Sequence, residues 1–156
     1  MPNISIDKNV VTTGLEVETK EEAIEILAKM LEINGYVKEG YCKAVLERER
    51  VFPTGLLTEI YGVAIPHADI TYVNESMIAV AVLKEPVEFN MLGYSSQTVA
   101  VKLILMLAMK DGHSQLTLLR NLMNLIQNEE AMAFIIEATE MKQIADFLNS
   151  KLYEAE

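Results

Sequence analysis

Met77-Ile78-Ala79-Val80-Ala81-Val82-Leu83 is an unbroken apolar run, set between Glu75-Ser76 and Lys84-Glu85. Its length suits a strand better than a helix. A strand with one face in water alternates apolar and polar residues; this run does not, so both of its faces must be covered. Val99 to Met109, interrupted only by Lys102, repeats the pattern and reads as another central strand. A shorter run, Gly62-Val63-Ala64-Ile65, stops at Pro66, which cannot donate to a sheet ladder. Strands buried on both faces call for helices on both sides of the sheet.

The flanking sequence supplies those helices. Thr19 and Glu22 form a capping box, and Ala23, Ile24, Ile26, Leu27, Met30 and Leu31 then recur at helical spacing until Gly35. A second helix is expected from about Lys38 to Arg50, with Tyr41, Ala44 and Val45 as its apolar stripe and Glu47-Arg48-Glu49-Arg50 as a solvated closing run. Residues 52–61 read as a loop opened by Pro53 and Gly55, and 69–76 as a polar connection. Lys84-Glu85-Pro86 reads as a turn, followed by Val87-Glu88-Phe89 as a short edge strand. Leu116, Leu119, Met123 and Ile126 mark a third helix that begins within 111–115. A shorter helix is expected near 130–137 and a last one over 141–152. With no repeat or low-complexity linker, the pattern predicts one domain over 1–156, an α/β sandwich with a mostly buried sheet and helices on both faces.

Composition narrows the function. Apolar residues make up 51% of the chain, enough for a packed core. The net charge of −10 opposes nucleic-acid binding and docking on anionic membranes, both of which need a basic surface. No apolar run is long enough to insert in a membrane and no N-terminal signal pattern is present, so a cytoplasmic protein is expected. Cys42 is the single cysteine, which leaves no disulfide framework. Two histidines and scattered carboxylates lack metal-ligand spacing, and no phosphate-cradling glycine loop occurs; neither a metal nor a cofactor is expected.

The two histidines, His67 and His113, therefore carry the candidate chemistry. His67 follows Pro66 at the end of a strand, where functional groups gather on open α/β sheets, and imidazole titrates near neutral pH. His113 sits where a helix should begin, and the free N–H groups of a helix start bind anions. If both strands end on one edge of the sheet, the two histidines and that helix start surround a phosphate-sized space. Arg48 and Arg50 could add a positive fork, and Thr54 and Thr58 hydroxyl donors. A carboxylate or carbonyl on the second ring nitrogen of His67 would fix its tautomer, with Asp69 and Glu59 as candidates. Each residue also has a purely structural reading: a satisfied or exposed histidine, a solvated helix start, a surface ion-pair run.

Leu46-Glu47-Arg48-Glu49-Arg50-Val51-Phe52-Pro53-Thr54-Gly55-Leu56, followed by Gly62-Val63-Ala64-Ile65-Pro66-His67, resembles the enzyme IIA domain of the fructose–mannitol type of the bacterial sugar phosphotransferase system. The Phe52 to Leu56 wording is most similar to the galactitol branch. The resemblance continues through 77–89 and 107–111 and covers nearly the whole chain. It implies a mixed sheet flanked by helices and a cytosolic phosphocarrier. His67 would accept a phosphoryl group from phosphorylated HPr and pass it to a cysteine of a cognate enzyme IIB, with the membrane enzyme IIC delivering the sugar. Arg48 matches the family's active-site arginine, with Arg50 as its duplicate. A second active-site histidine precedes the Leu-rich helix in mannitol-type relatives; here either His113 or Gln115 fills that place. The rival class is a regulatory module that uses the same fold and phosphorylation state to control a partner protein.

Overall fold

A computed structural model describes residues 5–152, with the side chains of residues 112–115 outside the described set. The elements follow the chain as β1 (Val11–Leu15), α1 (Lys20–Ile33), α2 (Tyr41–Val51), β2 (Gly55–Leu57), β3 (Gly62–Ala64), β4 (Met77–Met91), β5 (Tyr94–Ala108), α3 (Gly112–Ile126), α4 (Glu129–Glu137) and α5 (Met141–Leu152). The five strands form one mixed sheet. β4 and β5 make its long antiparallel hairpin, β1 runs parallel to β4, β3 runs parallel to β5, and β2 pairs antiparallel with β3.

Alternation along the central strands divides the core in two. Ile78, Val80 and Val82 of β4, with Leu103, Leu105 and Leu107 of β5, pack against Leu118, Leu122, Ile135, Ile144 and Leu148 of α3, α4 and α5. The intervening Ala79, Ala81 and Leu83, with Ile104, Met106 and Ala108, pack against Ile24, Leu27, Tyr41 and Val45 of α1 and α2. The expected α/β sandwich with helices on both faces is present. The small Ala79 and Ala81 of β4 face α1 and α2, and the branched Ile78, Val80 and Val82 face the other three helices. The α1 start is capped at Thr19, whose Oγ1 accepts from Glu22 N–H at 3.2 Å; the returning bond of the expected capping box falls one residue earlier, with Glu22 accepting from Glu18 N–H at 2.8 Å rather than from Thr19 N–H.

Three expectations need correction. Lys84-Glu85-Pro86 does not turn the chain. β4 runs through it to Met91, and the pairing with β5 shifts register between Val82 and Val87. Proline is tolerated at such an irregularity because no ladder N–H is required there. Val87 and Phe89 are accordingly not a separate edge strand but the continuation of β4, paired with Val101 and Val99. The real turn lies at Leu92-Gly93, so β5 begins at Tyr94 rather than Val99. Lastly, the loop expected over 52–61 contains β2. Gly55 marks its pairing with β4, since a Cβ there would lie 2.6 Å from the Asn90 carbonyl oxygen; Gly62 does the same for β3 against β5, where a Cβ would clash with the Ala100 carbonyl oxygen. Only glycine permits backbones to approach so closely.

Candidate functional site

The parallel pairing of β3 with β5 brings both strand ends to one edge of the sheet. Past Pro66 the chain touches β5 once more, in a parallel bridge between His67 and Leu107. Leu107 N–H donates to the Pro66 carbonyl at 3.0 Å. The buried Tyr41 hydroxyl donates to the carbonyl of the same residue, Leu107, at 2.7 Å. The segment carrying His67 is thus tied to β5 and, through β5, to α2.

The imidazole is half-buried, and its Nδ1 lies 2.9 Å from the Ile65 carbonyl oxygen. A carbonyl oxygen can only accept, so Nδ1 carries the proton and Nε2 keeps its lone pair. Burial lowers the His67 pKa below its ordinary 6.5; the Ile65 bond opposes this, and the Arg48 charge pushes it further down. Desolvation and a like charge both disfavour the imidazolium, so the ring stays neutral at pH 7. Of the two candidate arginines, Arg48 is the one whose charge acts on His67. Arg48 is exposed and stands over the Phe52 ring at 5.3 Å. Arg50 is two residues, about 200° of helix, further on. It lines a cleft with Lys20, Leu46, Glu49, Pro53 and Asn90.

Thr54 belongs to the site in another way than as a phosphate donor. It is 4% exposed, its hydroxyl donates to Glu49 Oε1 at 2.9 Å, and its N–H donates to Glu49 Oε2 at 2.8 Å. The same hydroxyl oxygen accepts from Ile65 N–H at 3.1 Å. With its one proton committed, it supports the segment before His67. Thr58 closes its own turn, donating to the Tyr61 carbonyl at 2.6 Å. Asp69 and Glu59 do not hold the ring: Asp69 caps Thr71 N–H at 2.9 Å, and Glu59 pairs with Glu129. His113 and Gln115 lie in the first turn of α3, six and eight residues after the Leu107 bridge, and their side chains lie outside the described residues. Among the described residues, no group of His, Cys, Asp and Glu could hold a metal ion.

Two residues of this edge were missed by the sequence reading. Glu49, read as part of a solvated run, is 4% exposed. Tyr41, read as core filler, also supplies a hydrogen bond. A signal existed: Tyr41, Val45 and Glu49 recur every four residues, so the apolar stripe of α2 points straight at Glu49.

Fold and site together define an α/β sandwich protein with a histidine-centred edge at the ends of two parallel strands. The family model for the phosphoenolpyruvate-dependent sugar phosphotransferase system, EIIA 2, matches residues 4–151, and the chain belongs to that family. It is therefore a phosphotransferase component, of a kind that works through phosphohistidine intermediates in sugar transport. The galactitol-specific EIIA component of Escherichia coli (strain K12) is 27% identical over 130 residues, 83% of this chain and 86% of that protein. The transcriptional regulator ManR of Bacillus subtilis (strain 168) is 33% identical over 135 residues, 86% of this chain but only 19% of ManR. Among solved structures, the complex of the mannitol enzyme IIA with phosphorylated enzyme IIB from Escherichia coli is matched with a TM-score of 0.73 at 24% identity, over 92% of this chain and 95% of that one. No helix among the described residues is long and apolar enough to cross a membrane.

Proposed function

We propose that the protein is a cytoplasmic phosphocarrier in which His67 Nε2 takes a phosphoryl group from phosphorylated HPr and passes it to the cysteine of a cognate enzyme IIB. The observation that carries this reading is the bond from His67 Nδ1–H to the Ile65 carbonyl, which leaves a neutral ring with its Nε2 lone pair available. In uptake, the Nε2–phosphorus bond forms as the bond between phosphorus and the donor breaks; in delivery, the thiolate sulfur of the partner displaces Nε2. Transfer through a loose transition state demands alignment and charge stabilisation more than covalent help. Arg48 and the opening N–H groups of α3 hold the equatorial oxygens, together with His113 or Gln115. The phosphoryl group is the cargo, and the mechanism uses no further cofactor.

The galactitol-specific relative, matched over 86% of its own length, supports a galactitol-like polyol as the sugar of the cognate system. The test is incubation with phosphoenolpyruvate, enzyme I and HPr. Wild-type protein should acquire one acid-labile phosphate and His67→Ala none while keeping its circular dichroism; a folded His67→Ala that labels normally overturns the assignment. A second reading rests on the 33% identity to a segment of ManR: a regulatory module whose phosphorylation state controls a partner protein. Phosphoryl delivery to an enzyme IIB encoded beside this chain favours transport, and its absence alongside normal labelling favours regulation.

A further inference from the structure

Glu49 is a nearly fully buried carboxylate, and among the described residues it has no ion-pair contact. Such a group costs free energy unless its oxygens are well satisfied, so its retention needs a reason. Both oxygens accept from one residue, Thr54: Oε2 from the N–H and Oε1 from the hydroxyl. Because the Thr54 proton goes to Glu49, the hydroxyl oxygen can only accept on its other side, and it accepts from Ile65 N–H. The Ile65 carbonyl then accepts from His67 Nδ1–H. Pro66 follows and brings no competing N–H. Every donor in this chain points toward the carboxylate; Ile65 fixes the direction of its own two bonds, while Glu49 fixes the Thr54 hydroxyl and with it the place of the Ile65 backbone before the ring. Burial raises the Glu49 pKa, and the two Thr54 bonds and the Lys20 charge lower it.

We propose that Glu49 is a positioning residue for His67, acting through Thr54 and Ile65 to hold the Nδ1–H tautomer and so keep Nε2 as the nitrogen that reacts. This rests on the reading of His67 as the phosphoryl acceptor. A glutamine at position 49 has the same shape but one acceptor oxygen, so the Thr54 N–H and hydroxyl cannot both donate to it: one bond is lost, or the hydroxyl turns round to accept from the amide. Valine at position 54 removes the hydroxyl, and serine retains it.

Ring-¹⁵N histidine spectra of wild type, Glu49→Gln, Thr54→Val and Thr54→Ser, recorded at pH 8 beside rates of phosphoryl uptake from phosphorylated HPr, test the proposal. Wild type should show His67 protonated on Nδ1 alone. Glu49→Gln and Thr54→Val should show a mixed tautomer and uptake about tenfold slower at saturating phosphorylated HPr, with the half-saturating concentration unchanged. Thr54→Ser should restore both the spectrum and the rate. A wild-type ring protonated on Nε2 overturns the proposal outright. So do folded Glu49→Gln and Thr54→Val proteins with the wild-type spectrum and rate. If those variants do not fold, Glu49→Asp, which draws the carboxylate back by one methylene, takes their place, and the wild-type spectrum and rate in it overturn the proposal. Wild-type protein that takes no phosphate on His67 defeats the functional reading instead, while the tautomer is read regardless.

Discussion

Helix α2 presents two stripes that differ in what surrounds them. Tyr41, Val45 and Glu49 are buried, and the two polar members spend their hydrogen-bonding groups on Leu107 and Thr54. Arg48, Val51 and Phe52, at the C-terminal end of the helix, are exposed, with Arg48 resting on the Phe52 ring. Adjacent residues, Arg48 and Glu49, thus take opposite parts. The buried stripe fixes where the His67 segment lies, and the exposed stripe leaves a cation and two apolar side chains in reach of an incoming molecule. A hydrogen bond with no competing water defines a position; an exposed charge can change partners during turnover.

If that division holds, the stripes respond differently to substitution. Arg48→Ala should lower the rate of phosphoryl uptake about 100-fold, the scale of losing one electrostatic donor at a transition state, with little change in melting temperature. A loss of stability without a loss of rate would place Arg48 on the structural side. Tyr41→Phe should cost about 1–3 kcal/mol in denaturant unfolding, because the Leu107 carbonyl is left buried without its donor. A smaller effect is expected from pH. The unfolded chain takes up a proton at His67 near pH 6.5 while the folded ring, its pKa lowered by burial, does not. His67 therefore leaves stability unchanged above that pH and reduces it as pH falls through and below 6.5. For the same reason, uptake should stay nearly level from pH 7.5 to 6.5; a drop following ordinary histidine titration would show the ring to be unperturbed. Smallest of all, Lys142→Ala on α5 should leave the melting temperature unchanged, since its Asp146 pair is exposed.

The layered fold was legible because β4 and β5 are apolar on both faces, a pattern that few architectures accommodate. The position of His67 was legible for a similar reason: proline ends a buried run, and the next side chain must lie at the strand end. What stayed hidden depended on contacts between segments distant in sequence. Nothing local shows that Pro86 falls at a register shift, since this requires knowing that Val87 pairs with Val101. Three residues of β2 are too few to display a period, and their signal is the closeness of Gly55 to Asn90. The carboxylates suggested for the imidazole were near it in sequence, Asp69 and Glu59. The partner is instead a main-chain carbonyl, and the carboxylate behind it, Glu49, was masked by the charges on either side. Periodicity counted across polar as well as apolar residues would have exposed it.

The most direct test of the central claim is ³¹P and ring-¹⁵N nuclear magnetic resonance of the protein after phosphorylation by phosphoenolpyruvate, enzyme I and HPr. The geometry predicts a single phosphohistidine, at residue 67, with phosphorus coupled to Nε2 and the proton retained on Nδ1. Phosphorus coupled to Nδ1 of His67, or carried by His113, would contradict it.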